Sequence, residues 1–228
     1  MRSRPLLLGH RGARATKSIH ENTIASFEAS LSSGCDGFEF DVRLTGDGRA
    51  VICHDAQIKG QPVALADASQ LRDLPTLDDV LRQFSTTAFL DIELKVNGLE
   101  QKVCEAVLAT NPLKGYVVSS FQSGILKTLH AIDTELPIGL IADQQSELSA
   151  WRGLPIQFVI PHWSLVTKEL VDEIHEAGKE VFAWTVNEVH LLLRFAEWGV
   201  DALISDDTAL LAATFPKTRR ANGRPRPS

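Results

Sequence analysis

The sequence is poor in cysteine, which argues against two kinds of stabilised architecture. Only three cysteines are present, Cys35, Cys53 and Cys104, at wide and irregular spacing. An odd number spaced in this way is not typical of a disulfide framework or of a zinc-binding motif. The pattern indicates a reducing compartment, and we expect the chain to be cytoplasmic.

Long apolar segments are also missing. No stretch approaches the roughly 18 apolar residues that a membrane-spanning helix needs, so no transmembrane segment is predicted. Near the N-terminus only three consecutive leucines precede Gly9. A run of that length is too short for the core of a signal peptide.

Basic residues are fewer than acidic residues in the chain before its C-terminal end. The net charge is −6, and the last twelve residues carry five positive charges and no negative one, which leaves −11 for residues 1–216. Binding to a phosphate backbone requires a basic surface, so no nucleic-acid partner is expected. Residues 217–228 hold almost no apolar side chains and are predicted to be a disordered basic tail. Residues 1–216 are predicted to form one domain.

The chain does contain a regular alternation of short apolar runs with amphipathic segments of helical period. Hydrophobic residues make up 44% of it, enough for a sizeable core. Strands are predicted at residues 5–9, 37–41, 88–94, 116–119, 137–141, 156–160, 180–184 and 201–204. Eight strands with intervening helices indicate an α/β fold, a (β/α)₈ TIM barrel, with a doubly wound open sheet as the alternative.

Helical segments and two irregularities complete this pattern. Helices are predicted at residues 23–31, 77–84, 99–109, 168–177 and 188–198. After the second strand, residues 42–53 are predicted to form a hairpin that turns at residues 45–48. A polar segment, residues 55–74, follows the hairpin and interrupts the alternation.

Ionisable side chains gather at the C-terminal ends of the first three predicted strands, which form the active-site face of a (β/α)₈ barrel. Because side chains alternate along a strand, residues two apart point to the same side. The residues concerned are Glu39 and Asp41 on the second strand, Asp91, Glu93 and Lys95 on the third, and His10 and Arg11 after the first. We therefore expect them to share the barrel interior.

Unpaired charges in a barrel interior are costly, so one compensating divalent cation is predicted. Carboxylates without a neighbouring cysteine suit Mg²⁺ or Ca²⁺, or alternatively Mn²⁺, better than zinc. The other interpretation is a structural ion-pair network, in which Lys95 and Arg11 alone neutralise Glu39 and Asp41.

His10 and His54 each follow a predicted strand at the barrel mouth. Histidine titrates near neutral pH, so two histidines on opposite sides of a phosphate can serve as general base and general acid. Arg11 can bind phosphate oxygens as a bidentate fork, and Lys95 can act on them as a point charge.

Seven short motifs stand in a fixed order along the chain: His10-Arg11-Gly12, Glu21-Asn22-Thr23, Glu39-Phe40-Asp41, His54-Asp55, Glu93-Leu94-Lys95, Trp184-Thr185-Val186-Asn187 and Gly199-Val200-Asp201. This ordered set resembles the glycerophosphodiester phosphodiesterases over about residues 6–210, and it is far more specific than any one tripeptide. The resemblance implies a (β/α)₈ barrel that hydrolyses a small-molecule glycerophosphodiester to an alcohol and sn-glycerol 3-phosphate.

The resemblance also implies roles for eight residues, and none for Asp91. By motif, the acid–base pair is His10 and His54, the metal ligands are Glu39, Asp41 and Glu93, and the substrate contacts are Arg11, Lys95 and Trp184. Trp184 would line the glycerol side of the pocket, although core packing is the alternative. Which histidine is the base stays open, as does attack by water or by the neighbouring glycerol hydroxyl through a cyclic phosphate.

The Glu21-Asn22-Thr23 motif and three residues after later strands leave further alternatives. Asn22 or Thr23 is expected to cap the following helix, while Glu21 orients Arg11 or touches the metal. Weaker pocket candidates are Phe121, His162 and Trp163, which follow later strands.

Two departures from the family pattern affect substrate range. His20 replaces the proline that usually precedes the Glu-Asn-Thr motif. The short segment 55–74 replaces a larger insertion that helps to cover the glycerol pocket in relatives.

Three other functions compete with this interpretation. A lysophospholipase D-like activity is expected if the short segment leaves an open apolar groove. A Schiff-base aldolase using Lys95 is less suitable, because a lysine beside carboxylates stays protonated. A non-catalytic barrel that binds glycerol phosphate is disfavoured by the presence of both histidines.

Overall fold

Eight parallel strands close into a barrel in the structure, a computed structural model that describes residues 4–216. The ring closes because the first strand pairs in parallel with both the second and the last. In chain order the strands are β1 (Leu6–Gly9), β2 (Gly37–Leu44), β3 (Ala50–Ile52), β4 (Gln57–Ile58), β5 (Gln61–Pro62), β6 (Phe89–Leu94), β7 (Tyr116–Ser120), β8 (Ile138–Ala142), β9 (Phe158–Pro161), β10 (Glu180–Ala183) and β11 (Ala202–Ser205). All except β3, β4 and β5 form the ring.

The predicted barrel is confirmed, and the open-sheet alternative is wrong. Each predicted strand coincides with a barrel strand, with ends displaced by no more than three residues. The largest displacement is in β2, which continues to Leu44 because its last three residues pair antiparallel with β3. The predicted hairpin is therefore present. The tail predicted at residues 217–228 lies outside the described residues.

Helices follow the barrel strands and cover the outside of the ring. They are α1 (Ile24–Ser33), α2 (Leu77–Phe84), α3 (Glu100–Thr110), α4 (Ser123–Ile132), α5 (Gln145–Leu148), α6 (Lys168–Glu176), α7 (Val189–Trp198) and α8 (Thr208–Thr214). None of the helices within residues 4–216 has the length and apolar character needed to cross a membrane.

Helix α2 shows how local sequence starts and orients these helices. Thr76 caps it, since its hydroxyl accepts a hydrogen bond from Asp79 N while the Asp79 carboxylate accepts one from Thr76 N. Its buried residues recur at helical spacing and are Leu77, Val80, Leu81 and Phe84.

Alternation along the barrel strands divides the core in two. Outward side chains such as Phe38 pack against the helices in the main core. Inward side chains fill the barrel, whose apolar part consists of Leu8, Phe89, Val117, Ile141, Ile160, Phe182, Ala202 and Ile204. The predicted ionisable residues occupy inward positions closer to the C-terminal ends of the strands, so they lie on an apolar floor.

Gly37 allows β2 and β6 to approach each other where they begin. It pairs in register with Phe89, and a Cβ atom on Gly37 would lie 1.9 Å from the Phe89 backbone oxygen. Any side chain there would push the strands apart. The glycine thus allows the two strands that carry the inward carboxylates to pair closely in this register.

Replacing Phe38 by alanine tests the main core. Phe38 is fully buried, stacks on Phe27 of α1 at 4.2 Å between ring centroids, and meets Phe84 of α2 edge-on at 5.0 Å. The Phe38→Ala variant should lose about 3–5 kcal/mol of unfolding free energy, measured by urea denaturation, because a cavity would remain between two helices and the barrel.

The matched control is Leu113→Ala, since Leu113 is 67% exposed. It should change the unfolding free energy by less than about 0.5 kcal/mol. Equal losses in the two variants would contradict the packing described for Phe38.

Candidate active site

The carboxylates predicted to face the barrel interior do so. Register between β2 and β6 places Glu39 beside Asp91 and Asp41 beside Glu93, and all four side chains are buried. One oxygen atom from each of Glu39, Asp41 and Glu93 lies within 4.8 Å of the other two. These three residues could therefore share one cation, whereas Asp91 is not part of the group.

The His-Arg-Gly segment turns sharply after β1 and directs Arg11 into the barrel mouth. Arg11 and Gly12 both have left-handed backbone conformations, with φ of 51° and 82°. A Cβ atom on Gly12 would lie 2.4 Å from Ser26 Oγ of α1, so glycine is required there. Arg11 N donates to Glu39 Oε2 at 2.9 Å, and Arg11 Nε lies 3.2 Å from Asp41 Oδ2. The turn is thereby tied to two of the carboxylates.

Each of the three residues of the Glu-Asn-Thr segment makes a different contact. Thr23 caps α1, with its hydroxyl accepting a backbone N–H of the first turn. Glu21 orients Arg11, because its Oε1 accepts a hydrogen bond from Arg11 Nη1 at 2.8 Å. Asn22 donates from Nδ2 to Asp41 Oδ2 at 2.7 Å. Sequence reasoning did not anticipate this contact, which holds Asp41 in place.

Lys95 neutralises part of the cluster. Its Nζ lies 2.6 Å from Glu93 Oε1 and 3.3 Å from Asp41 Oδ1, and it stands 5.7 Å from the centre of the Phe121 ring. Burial alone would lower the pKa of Lys95, but the two carboxylates raise it above its ordinary value. The lysine is therefore charged, and the predicted ion pairs with Lys95 and Arg11 both exist.

These two cations do not balance the carboxylates. Burial and the neighbouring negative charges raise the pKa of Glu39 well above its ordinary value and that of Glu93 to about 7. For Asp41, burial is outweighed by Lys95 and Arg11, and the pKa is lowered. Within residues 4–216, no hydrogen bond reaches Glu39 Oε1, and Asp41 Oδ1 has only the ion pair with Lys95 Nζ at 3.3 Å. Buried carboxylate oxygens with so few partners fit a hard cation such as Mg²⁺, Ca²⁺ or Mn²⁺.

Both predicted histidines line the same pocket at the barrel mouth. His10 is buried, and its Nε2 lies 3.8 Å from Glu39 Oε2. His54 follows β3, and its side chain is 36% exposed with Nδ1 2.9 Å from Asp55 Oδ1. The hairpin that extends β2 thus brings His54 to the same pocket as His10, which follows the neighbouring strand β1.

Asp206 is a residue of the site that sequence reasoning missed. It follows β11 and its Oδ1 lies 2.8 Å from His10 Nδ1. The signal was present, because Ile204 points into the barrel and Asp206 is two residues further along. The alternation rule that identified Asp41 would have identified Asp206 as well.

Aromatic rings form one wall of the pocket. Trp184 donates from Nε1 to the Ile160 backbone oxygen at 3.0 Å, and its ring meets Phe121 at 5.6 Å and His162 at 5.4 Å. Trp184 and Phe121 line the pocket, whereas Trp163 does not and is 39% exposed. Trp184 therefore both packs in the core and faces the pocket.

Two cavities share His54 as a lining residue. The inner one has a volume of about 70 Å³, and its lining includes both histidines, Arg11, Lys95, Glu39, Glu93 and the rings of Phe121 and Trp184. A second cavity, of about 440 Å³, lies beneath the segment 55–74, which folds into the β4–β5 ribbon and two short 3₁₀ turns. His20 and Leu71 are among its lining residues. His54 lines both cavities, so a molecule that fills both must pass this side chain.

Comparison with known proteins identifies relatives of the whole barrel. The model of the glycerophosphoryl diester phosphodiesterase family matches residues 10–210. The chain is 28% identical to a glycerophosphodiester phosphodiesterase of Caldanaerobacter subterraneus subsp. tengcongensis, with 90% of this chain and 96% of the relative covered. A glycerophosphodiester phosphodiesterase of Bacillus altitudinis is also 28% identical, with 88% and 94% covered.

Solved structures show the same fold. A glycerophosphodiester phosphodiesterase from Thermotoga maritima superimposes with a TM-score of 0.81 at 22% identity, covering 93% of this chain and 99% of the other. A phosphodiesterase from Oleispira antarctica, solved in complex with the product sn-glycerol 3-phosphate, superimposes with a TM-score of 0.78 at 24% identity, covering 94% and 98%.

Asp91 should make the cation-free protein less stable as pH rises. Burial raises its pKa to about 7, although Ser119 Oγ donates a hydrogen bond to it at 2.6 Å. The folded state keeps the proton that the unfolded state loses near pH 4, so this stabilisation is complete below pH 4 and is lost as pH rises through 7. In EDTA, the unfolding free energy of the wild type should fall between pH 4.5 and 8 by on the order of 3 kcal/mol more than that of Asp91→Asn.

Urea denaturation at several pH values measures this difference. Asp172→Asn, at an exposed position of α6, is the control and should keep the pH dependence of the wild type. If Asp91→Asn also keeps the pH dependence of the wild type, the pKa of Asp91 is not raised in the folded state.

Proposed function

The chain belongs to the glycerophosphoryl diester phosphodiesterase family, and on that basis we propose that it hydrolyses glycerophosphodiesters to an alcohol and sn-glycerol 3-phosphate with one divalent cation. The observation that carries this proposal is the pocket in which His10, His54, Arg11 and Lys95 surround a buried cluster of carboxylates. The product bound to the Oleispira antarctica structure supports the same class of substrate.

The proposed metal ligands are Glu39, Asp41 and Glu93. A bound divalent cation would supply positive charge against the phosphoryl oxygens, whose negative charge grows in the transition state. Asn22 keeps Asp41 pointing into the site through the hydrogen bond from its amide. Arg11 and Lys95, held by their ion pairs, add fixed positive charge at the same end of the pocket.

The proposed proton transfers belong to the two histidines. One accepts a proton from the attacking oxygen, either of water or of the neighbouring glycerol hydroxyl, and the other donates a proton to the leaving alkoxide. Their different settings suit separate roles, since His10 is enclosed by the barrel strands while His54 is carried by the hairpin and is partly exposed. The two side chains therefore approach a phosphate from different directions.

The charge on Lys95 weighs against an aldolase. Schiff-base formation requires a neutral amine, and the carboxylates of Glu93 and Asp41 raise the pKa of this lysine above its ordinary value. Protonated Lys95 can contact phosphate but cannot attack a carbonyl.

The two cavities suggest where each half of the substrate binds. The inner cavity, of about 70 Å³ and bounded by Trp184 and Phe121, suits a glycerol unit close to the carboxylate cluster. The outer cavity, of about 440 Å³, suits the alcohol on the other side of the phosphate. With the substrate bound in this way, His54, which lines both cavities, would lie beside the bond between the two halves.

Release of glycerol 3-phosphate from glycerophosphoethanolamine tests the central proposal. The wild type should be active with Mg²⁺, Ca²⁺ or Mn²⁺ and inactive in EDTA. His10→Ala and His54→Ala should each lower kcat by about 10²–10⁴-fold, because each removes one proton transfer.

The control for these variants is His190→Ala, at an exposed position on α7, which should keep the wild-type rate. Absence of turnover with all three cations, or wild-type rates in both catalytic-site variants, would rule out the proposed mechanism.

A second comparison separates this function from a lysophospholipase D-like activity. An acyl chain on the glycerol would have to share the small inner cavity with Trp184 and Phe121. We expect kcat/KM for glycerophosphoethanolamine to exceed that for lysophosphatidylethanolamine by at least about tenfold. A preference for the lysolipid would show that the glycerol half binds elsewhere.

A further inference from the structure

The ends of β1 and β11 bring His10 and Asp206 together. The two strands pair in register up to Gly9 and Ser205, and His10 N continues the ladder by donating to the Ser205 backbone oxygen at 2.8 Å. The next residue on each strand is therefore a direct neighbour. Side chains from opposite ends of the chain meet here, with 2.8 Å between His10 Nδ1 and Asp206 Oδ1.

Both carboxylate oxygens of Asp206 accept hydrogen bonds from neighbouring side chains. Asn187 donates from Nδ2 to Asp206 Oδ2 at 2.8 Å and accepts a hydrogen bond from Asp206 N at 2.9 Å. Arg14 Nη1 donates to Asp206 Oδ1 at 3.1 Å. The hydroxyl of Ser205 donates to the same Asn187 oxygen, so the amide cannot rotate without losing several contacts. The position of the carboxylate is thus determined before any substrate binds.

The charge state of Asp206 determines the direction of its hydrogen bond with His10. Burial would raise the pKa of this carboxyl, but the hydrogen bonds from His10, Asn187 and Arg14 lower it well below its ordinary value. An ionised carboxylate only accepts hydrogen bonds, so the proton of neutral His10 must be on Nδ1. The lone pair is then on Nε2, the nitrogen that lies 3.8 Å from Glu39 Oε2 in the pocket.

We propose that Asp206, supported by Asn187, is a positioning residue that fixes His10 in its Nδ1–H tautomer and aims Nε2 at the reacting atoms. The proposal rests on the function proposed above, because it assumes that His10 transfers a proton. His54 has a similar contact with Asp55, but there both side chains are more exposed, at 36% and 75%. Water competes for that contact, so Asp55 determines the orientation of its histidine less strictly.

Asp206→Asn is the variant that tests this role. The new amide can donate a hydrogen bond to Nδ1, which moves the histidine proton to Nε2 and removes the lone pair from the pocket. We expect kcat to fall by about 10²–10⁴-fold with KM within about threefold of the wild type. Asp206→Glu keeps an acceptor and should retain more activity than Asp206→Asn.

Nitrogen NMR of the histidine-labelled, full-length protein reads the tautomer directly. His10 should show a protonated Nδ1 in the wild type and a protonated Nε2 in Asp206→Asn, with its signals identified from a His10→Gln sample. A purely structural role would lower the melting temperature without exchanging the tautomer. A wild-type tautomer in Asp206→Asn, or a kcat within threefold of the wild type, would overturn the proposal.

A second histidine–aspartate pair provides the matched control. Asp201 Oδ2 lies 2.8 Å from His175 Nε2, outside the residues that line the pocket. Asp201→Asn should leave kcat and the His10 tautomer unchanged. Because the NMR measurement needs no turnover, it tests the role of Asp206 even if the wild type fails to hydrolyse glycerophosphodiesters, a result that would contradict only the proposed function.

Discussion

A surplus of buried carboxylate at the mouth of the barrel is the constraint that organises this protein. Four acidic side chains are buried on neighbouring strands β2 and β6, and Arg11 and Lys95 neutralise only part of their charge. Burying an unpaired charge costs several kcal/mol, so a fold without a use for these groups would be more stable with apolar residues there. The proposed cation would offset this cost, and it would link the stability of this end of the barrel to its chemistry.

The unusual backbone around the site can be understood from the same constraint. Arg11 and Asn22 adopt left-handed conformations that non-glycine residues seldom occupy. Both place a polar group on Asp41, Arg11 through Nε at 3.2 Å and Asn22 through Nδ2 at 2.7 Å. Lys95, Arg11 and Asn22 together lower the pKa of Asp41, so it is held ionised in a place where burial favours the neutral acid. Strain at these two positions of the β1–α1 loop is offset by contacts to a single buried carboxylate.

Much of this could be predicted because it depends on short-range rules. Alternation along a strand is enough to bring Glu39, Asp41 and Glu93 to one side of the sheet, and the apolar runs locate all eight barrel strands. Alternation could also have placed Asp206 at the barrel mouth, but two contacts depend on how distant segments meet. Asp206 reaches His10 because β11 closes against β1, and Asn22 reaches Asp41 because Arg11 and Gly12 turn the loop back. The acid–base roles of His10 and His54 remain predictions, because interatomic distances alone do not show which group gains or loses a proton.

The sequence predicts least well the segment that lies outside the barrel, residues 55–74. Segment 55–74 packs on a small apolar cluster of its own, formed by Val51, Cys53, Val63, Ala66 and Leu71, and not on the main core. Changes in its length or composition therefore leave the barrel intact while they reshape the outer cavity. The inner cavity has no such freedom, because strands that also close the ring supply its walls. If the inner cavity holds the glycerol unit and the outer cavity the alcohol, as proposed, recognition of the glycerol unit is tied to the fold, whereas recognition of the alcohol can change independently, with His54 lining both cavities.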